Sequence, residues 1–142
     1  MKKIAISISL VLVISSIACA SEITYREHIK PIFDARCNSC HGNSSPEYKA
    51  FKLDKEKWLA QDAGPRMDSY TYLVYFTGWP DTGALMRRLD DSKPGNMYEY
   101  LGDNEQERQE NLALFKEWVG GWTLKRFEDL TIEELAEIKV AY

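Results

Sequence analysis

The chain has 142 residues, of which 44% are hydrophobic, 28% charged and 12% aromatic, and its formal net charge is −4. That composition suits one globular domain, leaves little room for a second, and is too apolar and aromatic for a disordered chain. The acidic balance argues against nucleic acid as a partner.

Residues 1–20 read as an export signal. Lys2 and Lys3 form the charged start, and Ile4 to Ile17 is apolar apart from Ser7, Ser9, Ser15 and Ser16. Ala18-Cys19-Ala20 then supplies the small residues that signal peptidase needs, giving cleavage before Ser21. The apolar run falls short of the roughly 20 residues of a spanning helix. Ser16-Ile17-Ala18-Cys19 also resembles a bacterial lipoprotein box, in which Cys19 becomes the lipidated first residue. Each reading takes the domain out of the cytoplasm, as a free periplasmic protein or one touching the membrane through a lipid anchor. Removal of the leader takes two lysines with it and makes the mature chain more acidic.

The mature chain reads as all-α. Tyr25 to Arg36 is an approach helix, with Tyr25, Ile29, Ile32 and Phe33 on one face. Pro31 either opens a second helical segment or kinks the first. The run Arg36-Cys37-Asn38-Ser39-Cys40-His41-Gly42 follows. Its C-x-x-C-H string is the attachment signature of c-type haem. Each thiol adds across one vinyl group of the porphyrin, and two intervening residues let one helical turn present both sulfurs along one edge. His41 then lies under the ring, where its imidazole binds iron from the proximal side. Competing readings are weaker. A thioredoxin-like redox pair follows a strand in a β-α-β unit, zinc wants four protein ligands, and a disulfide across two residues is strained.

Gly42 to Pro46 is a loop, and Phe51 to Ala60 a short helix that ends at Asp62 to Arg66. Asp68 or Ser69 caps Tyr70 to Phe76, a helix in this context although its aromatics also suit a strand. Gly78 to Gly83 is a turn, Ala84 to Leu89 a short helix, and Asp90 to Asn96 a loop. Glu105 to Val119 carries Leu112, Phe115, Trp118 and Val119 at helical spacing and stops at Gly120-Gly121. Thr131-Ile132-Glu133-Glu134 is a capping box that opens a last helix to about Val140. Residues 21–122 make up the domain and residues 123–142 a C-terminal helical tail.

These features together resemble a small class I cytochrome c. Ile29-Lys30-Pro31-Ile32-Phe33 ahead of Arg36-Cys37, and Lys116-Glu117-Trp118-Val119 near the end, match the monohaem domain common in bacterial exported proteins. The resemblance implies a cytochrome c-like helical domain around one covalent haem c, held by Cys37, Cys40 and His41. It also implies a distal methionine from a loop shortly before the final helix. Met97 occupies that place, Met86 is the runner-up beside Leu85 and Leu89, and Met67 reads as a surface or packing residue. His28, the other imidazole, reads as an exposed residue of the approach helix. Phe33, Leu85, Leu112, Phe115 and Trp118 are candidates for the haem wall, which in so small a domain is also the core, and Trp79, Arg66, Arg87 and Arg88 are each either propionate donors or solvated surface residues.

The implied function is single-electron transfer between redox proteins, with no bond chemistry. Acidic residues from Glu99 to Glu110 and from Glu128 to Glu137 form either a solvated face or a docking surface for a basic partner. Two alternatives stand beside it. One is a five-coordinate haem that senses a gas or turns over peroxide. The other is a haem-bearing subunit of a larger oxidoreductase, docked through residues 123–142.

Overall fold

A computed structural model describes residues 22–78, 83–89 and 97–142. The predicted leader, the loop at 90–96 and most of the turn at 78–83 lie outside these residues. The described elements are α1 (Lys30–Arg36), α2 (Asn38–His41), α3 (Tyr48–Leu53), α4 (Lys55–Leu59), α5 (Tyr70–Gly78), α6 (Met86–Leu89), α7 (Glu105–Val119) and α8 (Ile132–Ala136). Two 3-10 turns, Met97–Tyr100 and Phe127–Asp129, join them. Among the described residues there is no strand, and one antiparallel bridge pairs Gly120 with Ile138. No helix among them is long and apolar enough to cross a membrane.

The approach helix is continuous but changes pitch. Tyr25–Ile29 is a π-helical turn, and Pro31 lies in the first turn of α1, where it has no N–H to continue the hydrogen-bond ladder and the pitch changes. Thr24 caps the start through its hydroxyl, which accepts from the Glu27 N–H. His28 is half-buried there and accepts from the Thr24 N–H through Nδ1 at 3.1 Å, so it acts as a local cap instead of standing free.

Two further elements differ from expectation. The helix predicted over 51–60 is split into α3 and α4 at Asp54, whose carboxylate caps α4 by accepting from the Lys57 N–H. A side chain that bonds nearby backbone competes with helix continuation, and that competition won here. The last helix stops at Ala136, short of Val140, although its capping box is formed as expected. Beyond it the backbone turns to pair with the end of α7. Gly121 N–H donates to Glu137 O, Lys139 N–H to Val119 O and Val140 N–H to Trp118 O. Those bonds replace the helical ones.

The core gathers the inward faces of the approach helix, α5, α6 and α7. Ile29, Phe33, Leu73, Phe76, Leu85, Met86, Leu89, Leu101, Leu112, Phe115, Trp118 and Val119 are all buried in one cluster. Trp118 is the largest fully buried side chain. Its indole N–H donates to the Ala141 carbonyl at 2.8 Å, so the tail is fastened beneath it. Tyr25 N–H donates to Ala141 O and Arg26 N–H to Tyr142 O, which ties the start of the fold to its end. Tyr25, Tyr70 and Tyr142 meet ring to ring around this junction.

Gly120 makes the reversal after α7 feasible. It adopts φ +74°, and a Cβ built there would lie 2.4 Å from the Glu137 carbonyl oxygen. Gly120→Ala is expected to destabilise the domain by about 1–3 kcal/mol, combining left-handed strain with a backbone clash. A guanidinium melt of the two holoproteins checks this.

Candidate haem site

The haem-motif residues sit on a short turn and helix. α1 ends at Arg36, Cys37 is the hinge, and α2 carries Cys40 and His41. Cys37 and Cys40 are free thiols and half-buried. Burial pushes the Cys37 thiol up to about 11, with a smaller push from Cys40. Among the described residues no group of three or more His, Cys, Asp or Glu is arranged to hold a metal ion.

Residues 63–67 form a strap across this motif. Gly64 N–H donates to Cys40 O, Met67 N–H to His41 O, and Arg66 N–H to Pro46 O, each at 2.8 Å. Ser45 Oγ also donates to Cys40 O, at 2.8 Å. The strap brings the Pro65 carbonyl 2.7 Å from His41 Nδ1. A carbonyl only accepts, so Nδ1 carries the proton and Nε2 keeps the lone pair. Burial holds the His41 pKa below its ordinary value, and the Pro65 bond opposes that shift. Gly64 lies flat against the ring: a Cβ there would be 2.2 Å from His41 Cε1.

This arrangement passes the test for a c-type haem. There are two free thiols at the right spacing, and one imidazole whose Nδ1 is occupied and whose Nε2 is the remaining nitrogen. A glycine opposite leaves no room for the ring to swing. Comparison with known proteins decides the family. The sequence profile of the PccH cytochrome c family matches residues 24–142. The chain is also similar to the structure of monoheme cytochrome PccH from Geobacter sulfurreducens, with 62% identity over 86% of this chain and all of the other, and a TM-score of 0.79. No curated protein sequence matches it.

The chain belongs to the PccH cytochrome c family.

It is thus an electron-carrying monohaem cytochrome with one covalently bound haem c and an all-α, cytochrome c-like fold. The family match runs through the tail, in keeping with the bonds that Val140 and Ala141 make to α7 and the approach helix. The five candidates for the haem wall, Phe33, Leu85, Leu112, Phe115 and Trp118, are all buried in the core of this cytochrome.

The three methionines occupy different environments. Met86 is 0% exposed and packed within the core, the usual place of a methionine that fills a gap. Met67 is half-buried on the strap, packed against the same cluster. Met97 opens the 3-10 turn and is 41% exposed. Its segment is anchored on α7. Tyr98 OH donates to Glu105 at 2.6 Å, and Gln109 donates to both. Asn111 donates to Leu101 O at 2.6 Å, and the buried Leu101 side chain joins the core.

Of the candidate propionate donors, Trp79 lies outside the described residues. Arg66 is committed to Asp68 at 2.7 and 3.0 Å and lies over the Tyr72 ring. Arg87 and Arg88 are exposed on α6.

Several of the late acidic residues act as internal fasteners. Arg36 donates to both oxygens of Asp103, at 2.6 and 3.0 Å, and to Glu107. Glu107 in turn accepts from the Asp103 N–H at 2.8 Å. Glu134 pairs with Lys125 and closes its capping box. Sequence reasoning saw these as one acidic surface. It missed Gly64, Pro65 and the Arg36 partners because each is brought to its contact from a distant part of the chain.

Two predictions follow from this geometry. Gly64→Ala is expected to displace the His41 ring and destabilise the holoprotein by about 1–3 kcal/mol through overpacking, read from denaturant melts. The second concerns pH. Arg36 holds the Asp103 carboxyl below its ordinary range, and the Asp103 N–H and Arg36 do the same for Glu107. Depressed folded pKa values give stability that is present above the ordinary carboxylate range, about pH 4, and is lost as pH falls through the depressed values. Melts from pH 7 to 3 are therefore expected to fall less steeply for Arg36→Gln than for the parent.

Proposed function

We propose that this cytochrome is an exported carrier that shuttles single electrons between larger redox proteins. Cys37 and Cys40 hold the haem through thioethers, His41 Nε2 is the proximal ligand, and Met97 is the distal ligand. The observation that carries the reading is the Pro65 carbonyl on His41 Nδ1, which orients the imidazole and reserves Nε2. When bound, the haem supplies a one-electron iron couple whose potential is set by its axial ligands and burial.

The chain's own residues do the rest. The strap at 63–67 fixes the proximal ring, the core excludes water from the haem faces, and the anchors on α7 hold the Met97 segment. A thioether is soft and neutral, so it favours ferrous iron and raises the potential relative to a second histidine. His28 is engaged by the Thr24 N–H, which supports a methionine over a second imidazole. Residues 1–20 serve as the export signal ahead of a mature chain at 21–142, with Cys19 as the point of lipidation if the lipoprotein box is used. Partners present basic patches to the acidic residues that remain exposed, such as Glu99, Glu110 and Glu133.

The ferric absorption spectrum of the matured protein tests this. A weak thioether-to-iron band in the far red is expected, and Met97→Ala is expected to abolish it. A band that survives Met97→Ala but is lost in Met86→Ala reassigns the ligand. A high-spin spectrum in the parent overturns the carrier reading in favour of gas binding or peroxide turnover.

A further inference from the structure

Resting on the Met97 reading above, we propose that Arg36 is a positioning residue for the distal ligand: its guanidinium fastens the haem-attachment motif to the segment that delivers Met97. The residue stands immediately before Cys37, at the end of α1. Its side chain, 24% exposed, reaches across to the junction where the Met97 segment enters α7. There it forks onto both Asp103 oxygens and onto Glu107. Asp103 lies between the 3-10 turn that Met97 opens and the Asn104 cap of α7, and Glu107 lies in the first turn of α7. One cation therefore joins the element that carries the covalent attachment to the element that carries the sixth ligand.

The need for such a link follows from how Met97 is held. Met97 opens a short 3-10 turn, so the position of its side chain follows the backbone that carries it. That backbone is anchored to α7 by Tyr98, Leu101 and Asp103. The hydrogen bonds among these anchors all run to α7, while the buried Leu101 side chain joins the core. The Arg36 fork adds the connection to the proximal side, so that the distance between the two ligand-bearing elements is held at a polar point as well as by the core. An isolated surface ion pair contributes little. A planar fork shared by two carboxylates adds direction as well as attraction, and a lysine cannot reproduce it.

The test is displacement of the sixth ligand by imidazole in the ferric holoprotein. An outside ligand binds only when the methionine has let go, so its apparent affinity reports how often the segment opens. Arg36→Gln is expected to bind imidazole about three- to tenfold more tightly than the parent, with Arg36→Lys between them. In a Met97→Ala background, the same Arg36→Gln change is expected to have no further effect. If Arg36→Gln does not mature, Asp103→Asn removes one carboxylate from the fork, with an expected shift of about two- to threefold.

An Arg36→Gln protein whose imidazole affinity equals the parent's, while Met97→Ala removes the far-red band, overturns the proposal and leaves the ligand reading standing. An equal shift with and without Met97 shows a general loosening of the fold and also overturns it. A far-red band that survives Met97→Ala overturns both.

Discussion

The 2.7 Å bond from His41 Nδ1 to the Pro65 carbonyl decides which nitrogen of the imidazole keeps its lone pair. Much of the local structure serves that bond. The carbonyl is presented by a strap whose neighbours on either side, Gly64 and Met67, donate their own N–H groups to Cys40 and His41. The histidine is thus held by backbone that is itself hydrogen-bonded to the motif it orients. Glycine at 64 is part of the same constraint, since the ring occupies the space a side chain would take. Mutual bonding of this kind resists small displacements better than any one contact.

The second organising element is α7. Its apolar face supplies Leu112, Phe115, Trp118 and Val119 to the core, while its first turn holds the Met97 segment and the Arg36 fork. Its end is closed by the tail, through Trp118, Gly120 and Gly121. One helix therefore connects the packing of the domain with the placement of the Met97 segment.

Features encoded in contiguous residues were legible in the sequence. The C-x-x-C-H string names the cofactor, the spacing of Leu112, Phe115, Trp118 and Val119 gives α7 with its bounds, and Thr131 with Glu134 gives the last capping box. The aromatic run at 70–76 is a helix as context suggested, capped by the Ser69 hydroxyl. Contacts between distant segments were not legible. Pro65 looks like a helix breaker until the fold sets it against a histidine 24 residues earlier. Arg36 looks like a solvated charge until carboxylates 67 and 71 residues away close on it. The short last helix has the same origin, because the alternative bonding that ends it comes from residues 118–121. Local propensity carries no record of such partners.

The meeting of Tyr25 with Ala141, and of Arg26 with Tyr142, also makes the two ends of the fold depend on each other. These contacts join residues more than a hundred positions apart, and Trp118 shares the same late partner, Ala141. Loop closure over such a separation is slow, and long-range contacts of this sort delay folding. Shortening the chain by three residues would therefore open both ends of the domain at once, leaving the Tyr25 and Arg26 N–H groups and the Trp118 indole without these acceptors.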